Sequence, residues 1–423
     1  MKLPTIAAVA GAIFSAALLR KGVIFGPDSW AYWEGSVSIL RDRSYSYFAG
    51  EPITSFPPLF SLALALSQAV IGVSVRTLAA TIIVLVAIST FAWTKLYLIL
   101  ADDGRSWRVD AVMAFYVAAT MATYAQVLLS ETLWLALLPI LLAVIVGRSR
   151  SAKDRGAIEA SLAWLLLFAM LLCRNVTVAL LPAVFLLWVQ TDGKGQLLNM
   201  RLIHKRLALP LAIVGAALLP WYWVRRSLYQ LANHPIGNAQ YGGLTYVRQM
   251  IDGVAYAMGP DRWRVGAILL TALVVVLLWR VVAGQDTRLW DLLRSMLTFA
   301  LLSGVGLVIL FSLTYVGEPL SGRFVVFVAI VLALVLFGAA RIETARVTHS
   351  ALVMIGALLT LVAAHRLITK YRLAGREQPV TPLNVTITPA YWSGPPQQQG
   401  DLVLVAPPAY PWMSRYRGVD ARR

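Results

Sequence analysis

Along most of the chain, apolar residues run without a break for lengths close to one membrane crossing, and short polar stretches separate them. Segments of the roughly 17 to 25 residues needed to span a bilayer fall near 3–25, 76–101, 109–129, 131–147, 158–173, 175–190, 206–225, 265–283, 295–316, 323–340 and 348–368. The pattern predicts an all-α polytopic membrane protein of about 11 helices. Residues 3–25 lack a small-residue cleavage pattern and run into Arg20 and Lys21, so they read as a retained first span.

The longest departure from this pattern lies between the first two spans, from Gly26 to Leu59. There Pro27 and Asp28 stop the preceding helix, and Asp28 or Ser29 can cap a new one. Trp30, Trp33, Val37 and Leu40 recur at helical spacing, which predicts a helix lying flat with this stripe in the headgroup layer. Phe56-Pro57-Pro58 turns the chain back towards the bilayer. The apolar segment 58–73 reads as a short span, a re-entrant element or a surface element.

Charge decides between these. If 58–73 does not cross, the basic loops (Arg105 and Arg108; Arg148 to Arg155; Lys194 to Arg206; Arg288 and Arg294; Arg341 and Arg346) share the side of the N-terminus, the cytoplasmic side by the positive-inside rule. Segment 58–73 is therefore placed in a first extracytoplasmic loop, 26–75. With this topology Asp28, Ser130-Glu131, Arg174-Asn175, Trp221 to Arg226, a large loop at 227–264 and the Glu318 to Arg323 turn all fall on the extracytoplasmic side. The expected organisation is a transmembrane domain over 1–369 and a short extracytoplasmic tail over 370–423.

Composition narrows the class. The chain has 423 residues, 59% hydrophobic and 13% charged, and its mean hydropathy of +0.71 excludes a soluble domain of this size. A net charge of +17 would raise nucleic acid as a partner in a soluble protein, but the basic residues sit in loops, where membrane lipids are the expected partner and no nucleic acid is. The single cysteine, Cys173, excludes an intrachain disulfide.

The polar groups at the exported boundary are the candidate chemistry. Asp28 is positioned as a general base, compatible with a capping role, because partial desolvation of a carboxylate raises its pKa. Glu131 opens a span, where it complements the helix dipole, or joins Asp28 as a catalytic candidate that orients a substrate or pairs with an arginine. Arg174 interrupts an apolar run and is either at a short turn or a buried charge paired with Glu131 or Asp28. Arg225 and Arg226 follow Pro220-Trp221-Tyr222-Trp223 and either snorkel to headgroups or clamp a phosphate. Arg323 starts a span, where a cation opposes the dipole unless an anion accompanies it. His234 is the one histidine in the large exported loop; the four histidines show no metal-ligand spacing. No phosphate-binding loop, dinucleotide fingerprint or nucleophilic triad is visible, and neither a metal nor another cofactor is expected.

The order of these features resembles the integral-membrane glycosyltransferases of the C fold (GT-C), particularly the bacterial group similar to protein O-mannosyltransferases and lipid A aminoarabinose transferases. The resemblance covers about residues 1–345. It rests on Pro27-Asp28-Ser29 with Tyr32, Phe56-Pro57-Pro58-Leu59, Ser130-Glu131, Arg174 before Pro182, Pro220-Trp221 with Arg225-Arg226, and Glu318 with Arg323-Phe324. It implies a polyprenyl-phosphate sugar donor, a glycan or lipid acceptor, Asp28 as base, and Arg323 with Arg225 or Arg226 on the donor phosphate; Arg174, Tyr32, Glu318 and His234 would orient substrate. Many relatives carry two adjacent acids in the first loop and a tyrosine after the late arginine, where this chain has Asp28-Ser29 and Arg323-Phe324. A lipid-linked-sugar flippase or transporter is the rival reading, although no inverted repeat supports it. A polysaccharide polymerase or ligase is a further one.

Overall fold

A computed structural model describes residues 2–25, 27–47, 52–53, 56–101, 107–124, 127–148, 156–192, 243–258, 288–313, 322–342 and 346–373. These form twelve α-helices: α1 Leu3–Leu19, α2 Pro27–Asp42, α3 Leu59–Ile71, α4 Val75–Ala101, α5 Trp107–Tyr124, α6 Glu131–Arg148, α7 Gly156–Cys173, α8 Leu181–Asp192, α9 Gly243–Met258, α10 Arg288–Leu313, α11 Gly322–Ile342 and α12 Arg346–Leu373. A 3-10 segment, Asn175–Leu180, leads into α8. The only extended pairings among the described residues are two isolated bridges. The spans expected at 206–225 and 265–283, and all but the first four residues of the tail, lie outside the described residues.

Four described helices, α4, α10, α11 and α12, contain stretches both long and apolar enough to cross a membrane. Of these, the stretch in α11 is 94% buried, and the helix is apolar on all sides because protein surrounds it on all sides. It packs against α9, α10, α12 and α5. Around it α1 lies on α4 and α5, α4 on α6, and α6 on α7. Outward-facing Met354, Leu358 and Leu361 of α12 and Leu301, Val305 and Ile309 of α10 present apolar surface suited to lipid.

Two local features explain the region around the first loop. Helix α3 has 13 residues, about 20 Å at 1.5 Å per residue, against the roughly 30 Å of a bilayer core. It ends at Gly72, whose φ of 105° is open to glycine, and whose N–H donates to the Gln68 carbonyl at 2.8 Å. Helix α2 differs from expectation in its orientation. Trp33 and Val37 are buried in the protein core and Leu40 is exposed, so much of the stripe assigned to headgroups faces α3 and the bundle. The face of α2 that carries Gly35 is covered too: a Cβ there would stand 2.5 Å from the Tyr45 ring, and the Tyr45 hydroxyl donates to the Phe56 carbonyl at 3.0 Å.

Pro139 inside α6 removes the N–H that would bond the carbonyl of Leu135 four residues earlier. Helix α4 supplies the missing donors: the Ser89 hydroxyl at 2.8 Å and the Trp93 indole N–H at 3.1 Å both reach the Leu135 oxygen. The proline therefore locks α6 to α4 instead of leaving a buried acceptor unmet.

Candidate active site

The first loop is stitched to the α5–α6 connection. Ile24 bridges Val127 in parallel, the Leu128 N–H donates to the Ile24 carbonyl at 3.1 Å, and the Ser29 hydroxyl donates to the Leu128 carbonyl at 2.7 Å. One turn further along α2, the Tyr32 and Ser130 hydroxyls share a hydrogen bond of 2.8 Å. These links set the start of α2, with Asp28 in its first turn, beside the start of α6, with Glu131 in its first turn.

Arg174 enters from a third direction. It occupies an extended backbone position (φ −149°, ψ 133°) between α7 and the 3-10 segment. The segment is clamped: Thr177 donates from its hydroxyl to the Met170 carbonyl at 2.8 Å and accepts the Trp134 indole N–H at 2.8 Å. Pro182 follows in the first turn of α8, where its missing N–H is harmless. Arg323 enters from a fourth, in the first turn of α11.

The four charges meet. Arg323 Nη1 lies 3.3 Å from Asp28 Oδ2 and 3.7 Å from Glu131 Oε1, and Arg174 is in direct contact with the same Glu131 oxygen. The side chains of Asp28 and Arg323 are 20% and 21% exposed, and those of Glu131 and Arg174 10% and 11%. Two carboxylates and two guanidiniums balance to zero, which allows them to sit this far from water. Phe324 lies near both cations, its ring centroid 4.8 Å from the Arg323 guanidinium carbon and 5.0 Å from that of Arg174. Burial raises the pKa of the Tyr32 phenol above the ordinary tyrosine range, opposed in part by the nearby Arg174 charge, so Tyr32 is a neutral hydrogen-bonding group.

Glu131 also lines a cavity of about 10 Å³, together with Val86, Ser89, Met121, Tyr124, Thr132 and Leu135. That is room for about one water molecule. Among the described residues no three His, Cys, Asp or Glu side chains gather in a metal-ligand group.

The structure thus brings together Asp28, Tyr32, Glu131, Arg174 and Arg323. Arg225, Arg226, Glu318 and His234 lie outside the described residues. Sequence reasoning did not single out Trp134 or the approach of the Phe324 ring to two guanidiniums. The signal for Phe324 was present as the residue after Arg323, but adjacent helical positions do not ordinarily face one another.

Comparison with family models and with curated proteins finds no match. Comparison with solved structures does. ArnT from Cupriavidus metallidurans bound to undecaprenyl phosphate superposes with a TM-score of 0.55 at 14% identity, over 88% of this chain and 76% of that one. Its apo state gives 0.50 at 14% identity with the same coverage. The archaeal oligosaccharyltransferase AglB from Archaeoglobus fulgidus gives 0.46 at 13% identity, over 89% of this chain and 56% of that one. The helix order and the extent of the match to ArnT establish that this membrane protein has the GT-C fold.

Proposed function

We propose that this protein is a glycosyltransferase that moves a sugar from a polyprenyl-phosphate donor to a cell-envelope glycan or lipid acceptor, at the extracytoplasmic face of a bacterial plasma membrane. The observation that carries the proposal is the convergence of Asp28, Glu131, Arg174 and Arg323 from four separate element ends into one charge-balanced cluster. The GT-C fold, shared with a protein whose structure was solved with undecaprenyl phosphate bound, supports it.

The electrostatics suit an anionic donor. Helices α2, α6 and α11 all begin at the cluster, so three positive helix ends point at it in addition to the two guanidiniums. A lipid phosphate entering the cluster competes with Asp28 for Arg323. Once Arg323 turns to the phosphate, the Asp28 carboxylate is released from it and is open to the acceptor hydroxyl. The acceptor hydroxyl then attacks the anomeric carbon. The bond from acceptor oxygen to anomeric carbon forms, the bond from that carbon to the phosphate oxygen breaks, and the hydroxyl proton passes to Asp28. Charge grows on the departing phosphate, where Arg323 and Arg174 already stand. Glu131, in contact with both arginines, holds them at one place. Tyr32, through Ser130, holds the two helix starts together. Arg225 and Arg226 are assigned to the donor phosphate, and Glu318 and His234 to orienting substrate.

The test is sugar release by purified protein in lipid from a panel of radiolabelled polyprenyl-phosphate sugars, with envelope-lipid extract as acceptor. Wild type turns over at least one donor, and Asp28→Asn loses roughly 10²- to 10⁴-fold in rate while still binding polyprenyl phosphate. An Asp28→Asn protein as fast as wild type removes Asp28 from the role of base. Binding of donor by both forms with turnover by neither moves the lipid-linked-sugar carrier into first place.

A further inference from the structure

We infer that Phe324 is a positioning residue for the donor phosphate: its ring orients the guanidiniums of both Arg174 and Arg323, so that they act as a two-cation clamp. The inference rests on the donor class proposed above and goes further by naming what aligns the clamp. Arg174 and Arg323 are like charges that touch the same oxygen of Glu131. Coulomb repulsion drives them apart, and the carboxylates that hold them together are also what an entering phosphate displaces. The aromatic ring is a different kind of partner. At 4.8 and 5.0 Å from the two guanidinium carbons it is within cation–π range of both, and it is itself buried.

Geometry makes this useful. A guanidinium carries five N–H donors, and its cation–π attraction to a ring takes up no hydrogen-bond acceptor. The N–H donors stay available for the paired contacts by which arginine holds phosphate oxygens. When Asp28 gives up Arg323 to the donor, the ring does not move with it, so the guanidinium turns its hydrogen bonds without losing its place. The ring is held in turn from behind. Phe311 of α10 packs edge-on against it at 5.1 Å, and Tyr246 of α9 packs against Phe311 at 5.7 Å.

The arrangement predicts that the electron density of the ring, and not only its bulk, sets the affinity for phosphate. The experiment replaces Phe324 with mono-, di- and trifluorinated phenylalanine, which weaken the negative face of the ring with little change in shape. Binding of a C55 polyprenyl phosphate is measured in lipid nanodiscs, with KM and kcat for the donor found in the sugar-release assay. The Kd and the donor KM rise stepwise with each fluorine, to roughly tenfold for the trifluorinated ring, and kcat/KM falls in step with them. Phe324→Leu weakens binding at least as much, and Phe324→Tyr restores it. A Kd that is flat across the fluorine series in a wild type that binds the lipid phosphate overturns the role of Phe324 and leaves the proposed function standing. A wild type that binds no polyprenyl phosphate overturns both.

Discussion

Replacing Glu131 by Gln removes one negative charge from the cluster and keeps the side-chain volume. It leaves Arg174 and Arg323 close together, with the Asp28 carboxylate 3.3 Å from Arg323. The Arg174 and Glu131 side chains are 11% and 10% exposed, so the interaction belongs to the poorly solvated regime. Two unit charges about 4 Å apart at an effective dielectric of about 20 attract by about 4 kcal/mol, and breaking such a pair from one side costs about 3 to 5 kcal/mol, because the other charge stays behind. Glu131→Gln and Arg174→Met are each expected to lose about 3 kcal/mol, and the double variant less than the sum by about 2 kcal/mol or more, since it removes both charges together. An exposed pair on α9 provides the contrast: Arg248 and Asp252 are 3.7 Å apart with side chains 85% and 50% exposed. That pair is worth about 0.5 kcal/mol or less. The assay is equilibrium unfolding in mixed micelles as the dodecyl sulfate fraction rises, read by tryptophan fluorescence. Trp134, hydrogen-bonded to Thr177 beside the cluster, is a local reporter. Equal coupling energies for the Arg174–Glu131 and Arg248–Asp252 pairs refute the claim that these four charges form a desolvated unit.

Further perturbations probe what supports the cluster. A Cβ at Gly306 of α10 would collide with the backbone carbonyl of Ala179 in the 3-10 segment, which has no side chain to swing aside. Gly306→Ala is therefore expected to cost about 1 to 3 kcal/mol or more in the same unfolding assay and to weaken polyprenyl-phosphate binding, by shifting the segment that follows Arg174; a variant with wild-type stability counts against this packing. Ser89→Ala and Trp93→Phe each remove one donor from the Leu135 carbonyl opposite Pro139. Each alone costs about 1 kcal/mol because the other donor remains, and the pair costs more than the sum, since the buried acceptor is then unmet; strict additivity refutes the shared-acceptor account. Burial raises the phenol pKa of both Tyr32 and Tyr45. A raised pKa in the folded state means that the stabilisation is complete below the ordinary tyrosine value and is lost as pH rises past it. Tyr32→Phe should flatten the alkaline fall of stability measured by denaturant unfolding, and an unchanged slope argues against a buried neutral phenol.

At the opposite end of the central helix the same economy of charge recurs. Arg341 of α11 lies 3.3 Å from Asp110 of α5, and the Tyr97 hydroxyl donates to that carboxylate at 2.8 Å. A helix that is apolar on every side thus carries one arginine at each end, and each meets acid from neighbouring helices. These contacts set the depth of α11 in the bundle, because sliding it by one turn would strand both charges.

The amino-acid sequence by itself determined the class of protein and most of its helices, because the apolar runs and the residues that break them act within a few positions along the chain. It also marked Asp28, Glu131, Arg174 and Arg323 as candidates, since each is a charge at an apolar boundary, where it is costly without a reason. Their meeting was a matter for the tertiary structure. Asp28 and Arg323 are 295 positions apart, and no local pattern records which helix ends adjoin. The inward turn of Trp33 and Val37 was hidden for a related reason: headgroup region and protein core both accept large apolar side chains, so periodicity reveals a stripe but not what covers it. Phe324 was hidden more deeply. Its neighbours in sequence said only that a span begins there, and its nearness to two guanidiniums depends on α7 and α11 bringing their ends together.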